Sequence, residues 1–148
     1  MAHDPQELIR ARLQNEPYRR KLGMELVEMA PGFAKVAMTF TPELENLFGM
    51  LHGGATFSLL DEAFQIACNA QGSVALALQL SVYYLAPAQP GARLIAEARE
   101  TQATRKTALY DAVVYQAQDG KRIATGQALA YRKGVPLPFS PQGELLSS

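Results

Sequence analysis

Residues 49–69 read GMLHGGATFSLLDEAFQIACN, an apolar run that opens on a glycine pair, Gly53 and Gly54, and carries one acidic pair, Asp61 and Glu62. Placed at about 100° per residue, Leu59, Ala63, Ile66 and Ala70 share one side of a helix and Phe57, Leu60, Phe64 and Ala67 the adjoining one. Ser58, Glu62, Gln65 and Asn69 fill a polar strip, and Asp61 stands on its border beside Phe57, Phe64 and Cys68. A carboxylate half withdrawn from water has its pKa raised, which suits a base or a nucleophile. The same pattern also fits an ordinary solvated residue on an amphipathic helix.

The helix mouth offers the second piece of chemistry. First-turn N–H groups lack intrahelical acceptors and carry a partial positive charge, and glycine lets a ligand oxygen approach without a Cβ in the way. His52-Gly53-Gly54 therefore forms an oxyanion site roughly 12 Å along the axis from Asp61. One carboxylate cannot span that distance, but two antiparallel copies of the helix bring Asp61 toward the partner subunit's Gly53, so the chemistry implies a dimer. Asn46 reads as a loop residue capping a turn through its own side chain, and His52 as a helix cap. Neither His3 nor His52 has further ligands at metal spacing, so no metal site is expected. Cys68, on the apolar flank, reads as a small packed hydrophobe.

The elements that must position these residues follow from periodicity and punctuation. Asp4, Pro5 and Glu7 supply an N-cap, a first-turn proline and an N3 acid, predicting a helix from Pro5 to about Glu16. Met24 to Met29 and Phe33 to Phe40 flank Pro31-Gly32 as a hairpin, and a loop from Thr41 to Leu51 leads into a long helix from Gly54 to about Ala70. The period then changes to two: Val74, Leu76, Leu78, Leu80, Val82 and Tyr84 share one face of a strand, with smaller or polar residues on the other. Pro90-Gly91 precedes a strand from Arg93 to Thr101, and Asp119-Gly120 joins Ala108 to Gln116 with Ile123 to Tyr131. Tyr83 and Tyr84 read as core or interface aromatics. The expected division is a helical segment over 1–21, one domain over 22–133 and an irregular or disordered tail over 134–148. The fold class is α+β, an antiparallel sheet curled around one long central helix.

Composition narrows the partners. A chain of 148 residues, 48% hydrophobic, with 14 basic and 14 acidic side chains, suits one globular core and has no general pull toward nucleic acid or an anionic membrane. One cysteine forms no internal disulfide and the N-terminus is charged, which makes a cytoplasmic setting the expectation. The uncharged run from Ala63 to Ala92 is broken by Asn69, Gln71, Gly72, Gln79 and Pro87, so it reads as buried structure, not a membrane span.

Asn46, His52, Gly53, Gly54 and Asp61, with Ala63-Phe64, Ala67-Cys68-Asn69 and Tyr84-Leu85-Ala86-Pro87, resemble the hotdog-fold acyl-CoA thioesterases. The likeness runs from about Leu22 to Tyr131 and is greatest to the phenylacetic-acid-degradation type, related to the 4-hydroxybenzoyl-CoA thioesterases. It implies that Gly53 donates its N–H to the thioester carbonyl, that Asp61 acts from the partner subunit, that Asn46 helps place the reactants and that His52 shapes the turn. Asp61 would deprotonate water or attack directly to form an anhydride, and both routes stay open. No cofactor is implied, because coenzyme A is part of the substrate. Gly54, Phe57 and Ala77 would shape the acyl pocket, and Ala77 stands where some relatives carry a serine thought to orient water. Arg105, Lys106 and Arg122 would meet the coenzyme A phosphates, though solvated strand ends explain them equally. The resemblance implies a homodimer with shared sites, assembling to a homotetramer, that hydrolyses aryl-acetyl or other short aromatic acyl-CoA. The alternative is a non-catalytic acyl-CoA sensor or carrier on the same fold. A hotdog dehydratase fits the adjacent glycines poorly.

Overall fold

The computed structural model describes residues 2–147. Its elements are α1 (Pro5–Leu13), α2 (Pro17–Leu22), β1 (Glu25–Ala30), β2 (Phe33–Thr39), a 3-10 turn (Pro42–Leu44), α3 (Gly53–Asn69), β3 (Ser73–Tyr84), β4 (Arg93–Ala103), β5 (Thr107–Gln116) and β6 (Arg122–Pro136). The six strands form one antiparallel sheet in the order β1-β2-β4-β5-β6-β3, curled around α3. This is the expected hotdog arrangement. Its cause is the apolar arc of α3: Leu59, Leu60, Ala63, Phe64 and Ile66 are buried against Val36, Met38, Leu94 and Val114 of the sheet. Each such large apolar side chain contributes about 1.5–3 kcal/mol on burial. Phe64 meets Tyr110 edge to face, with ring centroids 5.3 Å apart, which fixes the roll of the helix on the sheet. No helix among the described residues is long and apolar enough to cross a membrane.

Four expectations change. The first helix stops at Leu13, and a second, α2, starts at Pro17. Proline pushes its predecessor out of the helical region, and Glu16 is extended, at φ −80° and ψ 110°. On β3 the pairing to β6 slips between Ala77 and Gln79, a bulge that reverses the alternation. Leu80 and Val82 pack on the core as expected, whereas Leu76 and Leu78, 53% and 59% exposed, face outward. Glu62, assigned to the solvated strip, is buried, while Phe57 is exposed. The reason is that Glu16, between α1 and α2, and Arg19 of α2 lie over Glu62.

The fourth change concerns the tail. β6 continues through Gly134 to Pro136, Leu137 and Ser140 are buried, and Phe139 bridges to Leu145. Arg12 Nη1 and Asn15 Nδ2 donate to the Gly143 carbonyl at 3.2 and 3.1 Å, so the tail is docked on α1. Gly143 has φ +80°, and a Cβ there would run into the Ala11 carbonyl, which leaves glycine as the residue that fits.

Candidate active site

The start of α3 is capped from within. His52 Nδ1 accepts the Gly54 N–H at 2.8 Å, and the His52 carbonyl accepts the Ala55 N–H at 2.9 Å. Gly53 N–H meets no acceptor among the described residues and stays available as a donor at the positive end of the helix. Tyr84 Oη donates to the Gly53 carbonyl at 3.0 Å, and its ring would lie 3.3 Å from a Cβ at position 53. A Cβ at position 53 would therefore require the Tyr84 ring behind it to shift by a few tenths of an ångström.

Asn46 organises the loop before the helix. Its Oδ1 accepts from Phe48 N–H at 2.8 Å and Met50 N–H at 3.0 Å, and its own N–H donates to the Met50 carbonyl at 2.7 Å. Its Nδ2 has no acceptor among the described residues. Asn46, Gly53, Thr56, Tyr84 and Pro87 line a cavity of about 390 Å³. The lining thus includes two residues with an uncommitted donor, the Gly53 amide and the Asn46 side-chain amide.

Asp61 lies in a different cavity, of about 400 Å³, whose apolar lining includes Ile9, Leu13, Phe64, Leu76 and Phe139. Desolvation raises its pKa from the ordinary 3.8, and the nearby Glu16 carboxylate adds to the rise. Cys68 lines the same cavity, but burial pushes its thiol up to about 12, so it stays protonated and unreactive at neutral pH. Asn69 ties the end of α3 to β3, accepting from Ala75 N–H at 2.9 Å and donating to the Ala75 carbonyl at 3.1 Å. That bond pair sets β3 beside Asp61.

The chain thus brings Asn46, His52 and Gly53 together and places Asp61 with Ala77, which shares its cavity. It does not bring Asp61 to Gly53, in keeping with their spacing on the helix. Gly54 and Phe57 line neither cavity; the Gly54 amide is spent on the cap and Phe57 is 38% exposed. Arg105 and Lys106 are exposed in the β4–β5 turn, whereas Arg122 opens β6 at the other end of β5, a separation of roughly 26 Å along the strand. These cations cannot hold one phosphate group within a single chain. Arg122 instead lines a groove of the sheet with Arg99 and Asp111. Among the described residues no three His, Cys, Asp or Glu side chains converge as a metal would require.

Two participants escaped the sequence reading: Tyr84 as the group behind Gly53, and Glu16 beside Asp61. The Gly53–Tyr84 contact spans 31 residues and leaves no local pattern. Glu16 lies before Pro17, in a segment whose docking no periodicity announces.

The description "Thioesterase superfamily" belongs to the family model that matches residues 48–123, the stretch carrying Gly53 and Asp61. The acyl-coenzyme A thioesterase PaaI of Escherichia coli is 34% identical, over 90% of this chain and 95% of its own. A putative esterase of Archaeoglobus fulgidus is 37% identical, over 84% of this chain and 80% of its own. The solved structure of the E. coli PaaI protein, from the phenylacetic acid degradation operon, superposes with a TM-score of 0.84 at 31% identity, covering 90% of this chain and 99% of that one. The Streptococcus mutans protein smu.793, solved with acetyl CoA bound, gives a TM-score of 0.72 at 25% identity, over 76% of this chain and 90% of its own. The uncommitted amide at the helix mouth, the half-buried carboxylate two turns on and these likenesses together place the chain in the thioesterase superfamily, among the hotdog-fold acyl-CoA thioesterases of the PaaI type.

Proposed function

We propose that this protein hydrolyses aryl-acetyl or other short aromatic acyl-CoA thioesters to the free acid and CoA, at sites shared between two subunits. The observation that carries the reading is the separation of the parts. The donors, Gly53 N–H and Asn46, line one cavity, and the half-buried Asp61 lines another. A thioester carbonyl is already electrophilic, so preorganised donors and one oriented carboxylate suffice to turn it over. The thioester oxygen binds at Gly53 N–H with Asn46 beside it, while His52 holds the turn through the Gly54 amide. The partner subunit's Asp61 then either takes a proton from water as it attacks the carbonyl carbon, or attacks that carbon itself. In both routes the C–S bond breaks and CoA leaves as the thiolate and is protonated; in the second, water then cleaves the mixed anhydride, releasing the free acid and restoring the Asp61 carboxylate.

The open edge of β3 supports the shared site, since it offers a second copy a strand to pair with. β3 is an edge strand with β6 on one side only, and it presents Leu76, Leu78 and Tyr83 to the outside. The apolar Asp61 cavity supports an aromatic acyl group, and the name and operon of the E. coli relative point the same way. The exposed cations of the β4–β5 turn, Arg105 and Lys106, are proposed to meet the coenzyme A phosphates, with Arg122 serving a different subunit's ligand. The single buried Cys68 suits a cytoplasmic setting.

The test is CoA release from phenylacetyl-, hydroxyphenylacetyl-, benzoyl-, acetyl- and hexanoyl-CoA by the native chain and by Asp61→Asn. We expect the aryl-acetyl esters to lead and Asp61→Asn to lose about 10²–10⁴-fold in kcat with its fold intact. Binding without CoA release by the native chain would favour a non-catalytic acyl-CoA sensor instead.

A further inference from the structure

Glu16 and Glu62 face one another under the N-terminal segment. Gln65 Nε2 donates to Glu16 Oε1 at 3.0 Å and to Glu62 Oε1 at 2.9 Å, so a single amide bridges both carboxyls. Glu62 is only 6% exposed, and the remaining oxygens, Glu16 Oε2 and Glu62 Oε2, are buried with no hydrogen-bond partner. The charged groups around the pair are Arg19 from α2, whose Nη1 is engaged by the Leu13 carbonyl and whose Nε is unpartnered, and Asp61 from α3. Two ionised carboxylates so placed would repel each other and leave two orphaned oxygens in a dry site. One proton between them satisfies both oxygens and removes one charge.

The segment that this pair holds down is a wall of the Asp61 cavity. Ile9 and Leu13 of α1 line that cavity together with Phe64 and Val74, and Glu16 lines it too. We infer that Glu16 is a positioning residue of the thioesterase: by sharing one proton with Glu62 it fastens the end of α1 over α3, where Ile9 and Leu13 form the wall that selects an apolar acyl group. The inference rests on the reading of the Asp61 cavity as the acyl site. Release of the shared proton at alkaline pH would leave two adjacent negative charges and lift the wall.

Amide hydrogen exchange over residues 5–22, corrected for intrinsic rates, is measured on the full-length chain at pH 7 and pH 9.5. Turnover of phenylacetyl- and acetyl-CoA is followed beside it. The native chain is expected to exchange about tenfold faster at pH 9.5, and Glu16→Gln, which keeps a donor to Glu62 without a second charge, to show no such rise. Glu16→Ala is expected to exchange fast at both pH values and to lose about tenfold in its preference for phenylacetyl- over acetyl-CoA, with Glu16→Gln restoring that preference at pH 7. Equal pH responses of the native chain and Glu16→Gln would overturn the shared proton, even where Glu16→Ala fails to fold. An unchanged acyl preference in folded Glu16→Ala would overturn the wall. Undiminished turnover by Asp61→Asn would instead fell the catalytic reading and leave the exchange result standing.

Discussion

A Cβ at position 53 would press on the Tyr84 ring at 3.3 Å, and the ring can give way only by loosening the Tyr84 hydrogen bond to the Gly53 carbonyl. Gly53→Ala is therefore expected to fold but to lose about tenfold or more in kcat, because it crowds the proposed carbonyl donor. Steady-state kinetics beside a thermal melt separates the two effects. Asp61 must be ionised to act as base or nucleophile, and both desolvation and Glu16 disfavour its charged form. The acid limb of kcat/KM should consequently fall at a pH above 3.8, with activity lost as pH drops through that raised value. Glu62 works in the opposite sense on stability. Burial first, and then Glu16, push its pKa from 4.5 to about 9, so the fold binds a proton that the unfolded chain has lost. Stability due to this group is greatest below pH 4.5, where the unfolded chain also holds the proton, and declines as pH rises above it. Glu62→Gln should flatten that slope, as urea unfolding at pH 5, 7 and 9 would show.

Elements outside the sheet decide what the central helix can expose. α1 walls the Asp61 cavity with Ile9 and Leu13, and the tail fastens α1 in turn through Gly143. Gly143→Ala would combine a left-handed φ of +80° with a clash against the Ala11 carbonyl. We expect a loss of more than about 1 kcal/mol, seen as a lowered melting temperature. Leu137 and Phe139 line the Asp61 cavity, so undocking the tail should also weaken discrimination among acyl groups. The bulge between Ala77 and Gln79 acts at the same scale. It keeps Leu80 and Val82 on the core while turning Leu76 and Leu78 outward, so one strand serves both the interior and an edge.

At the scale of the whole molecule the proposed reaction parts are separated. The Gly53 and Asn46 donors line one cavity and Asp61 another, so the proposed shared site calls for a second chain. Sedimentation should report a dimer or tetramer at micromolar concentration. Leu78→Arg on the exposed edge of β3 should shift it toward monomer, with turnover falling alongside assembly while the circular dichroism of the fold persists. Full turnover by a monomer would overturn the shared site.

By itself the sequence determined the order of elements from β1 onward, because a period of 3.6 over α3 and a period of two afterwards are local signals that tertiary packing here reinforces. It also determined the helix-mouth donor and the distance to Asp61, since glycine, helix rise and spacing are written along one segment. Only the tertiary structure decided what covers that segment. Pro17 ends one helix and starts another, yet nothing in the order of residues places Glu16 on Glu62 or Gly143 on Ala11. Those contacts join residues 46 to 132 positions apart, where burial, not periodicity, sets the partner. For the same reason Glu62 reads as solvated in the chain and is buried in the fold, where α1 and α2 exclude the water that its charge would need.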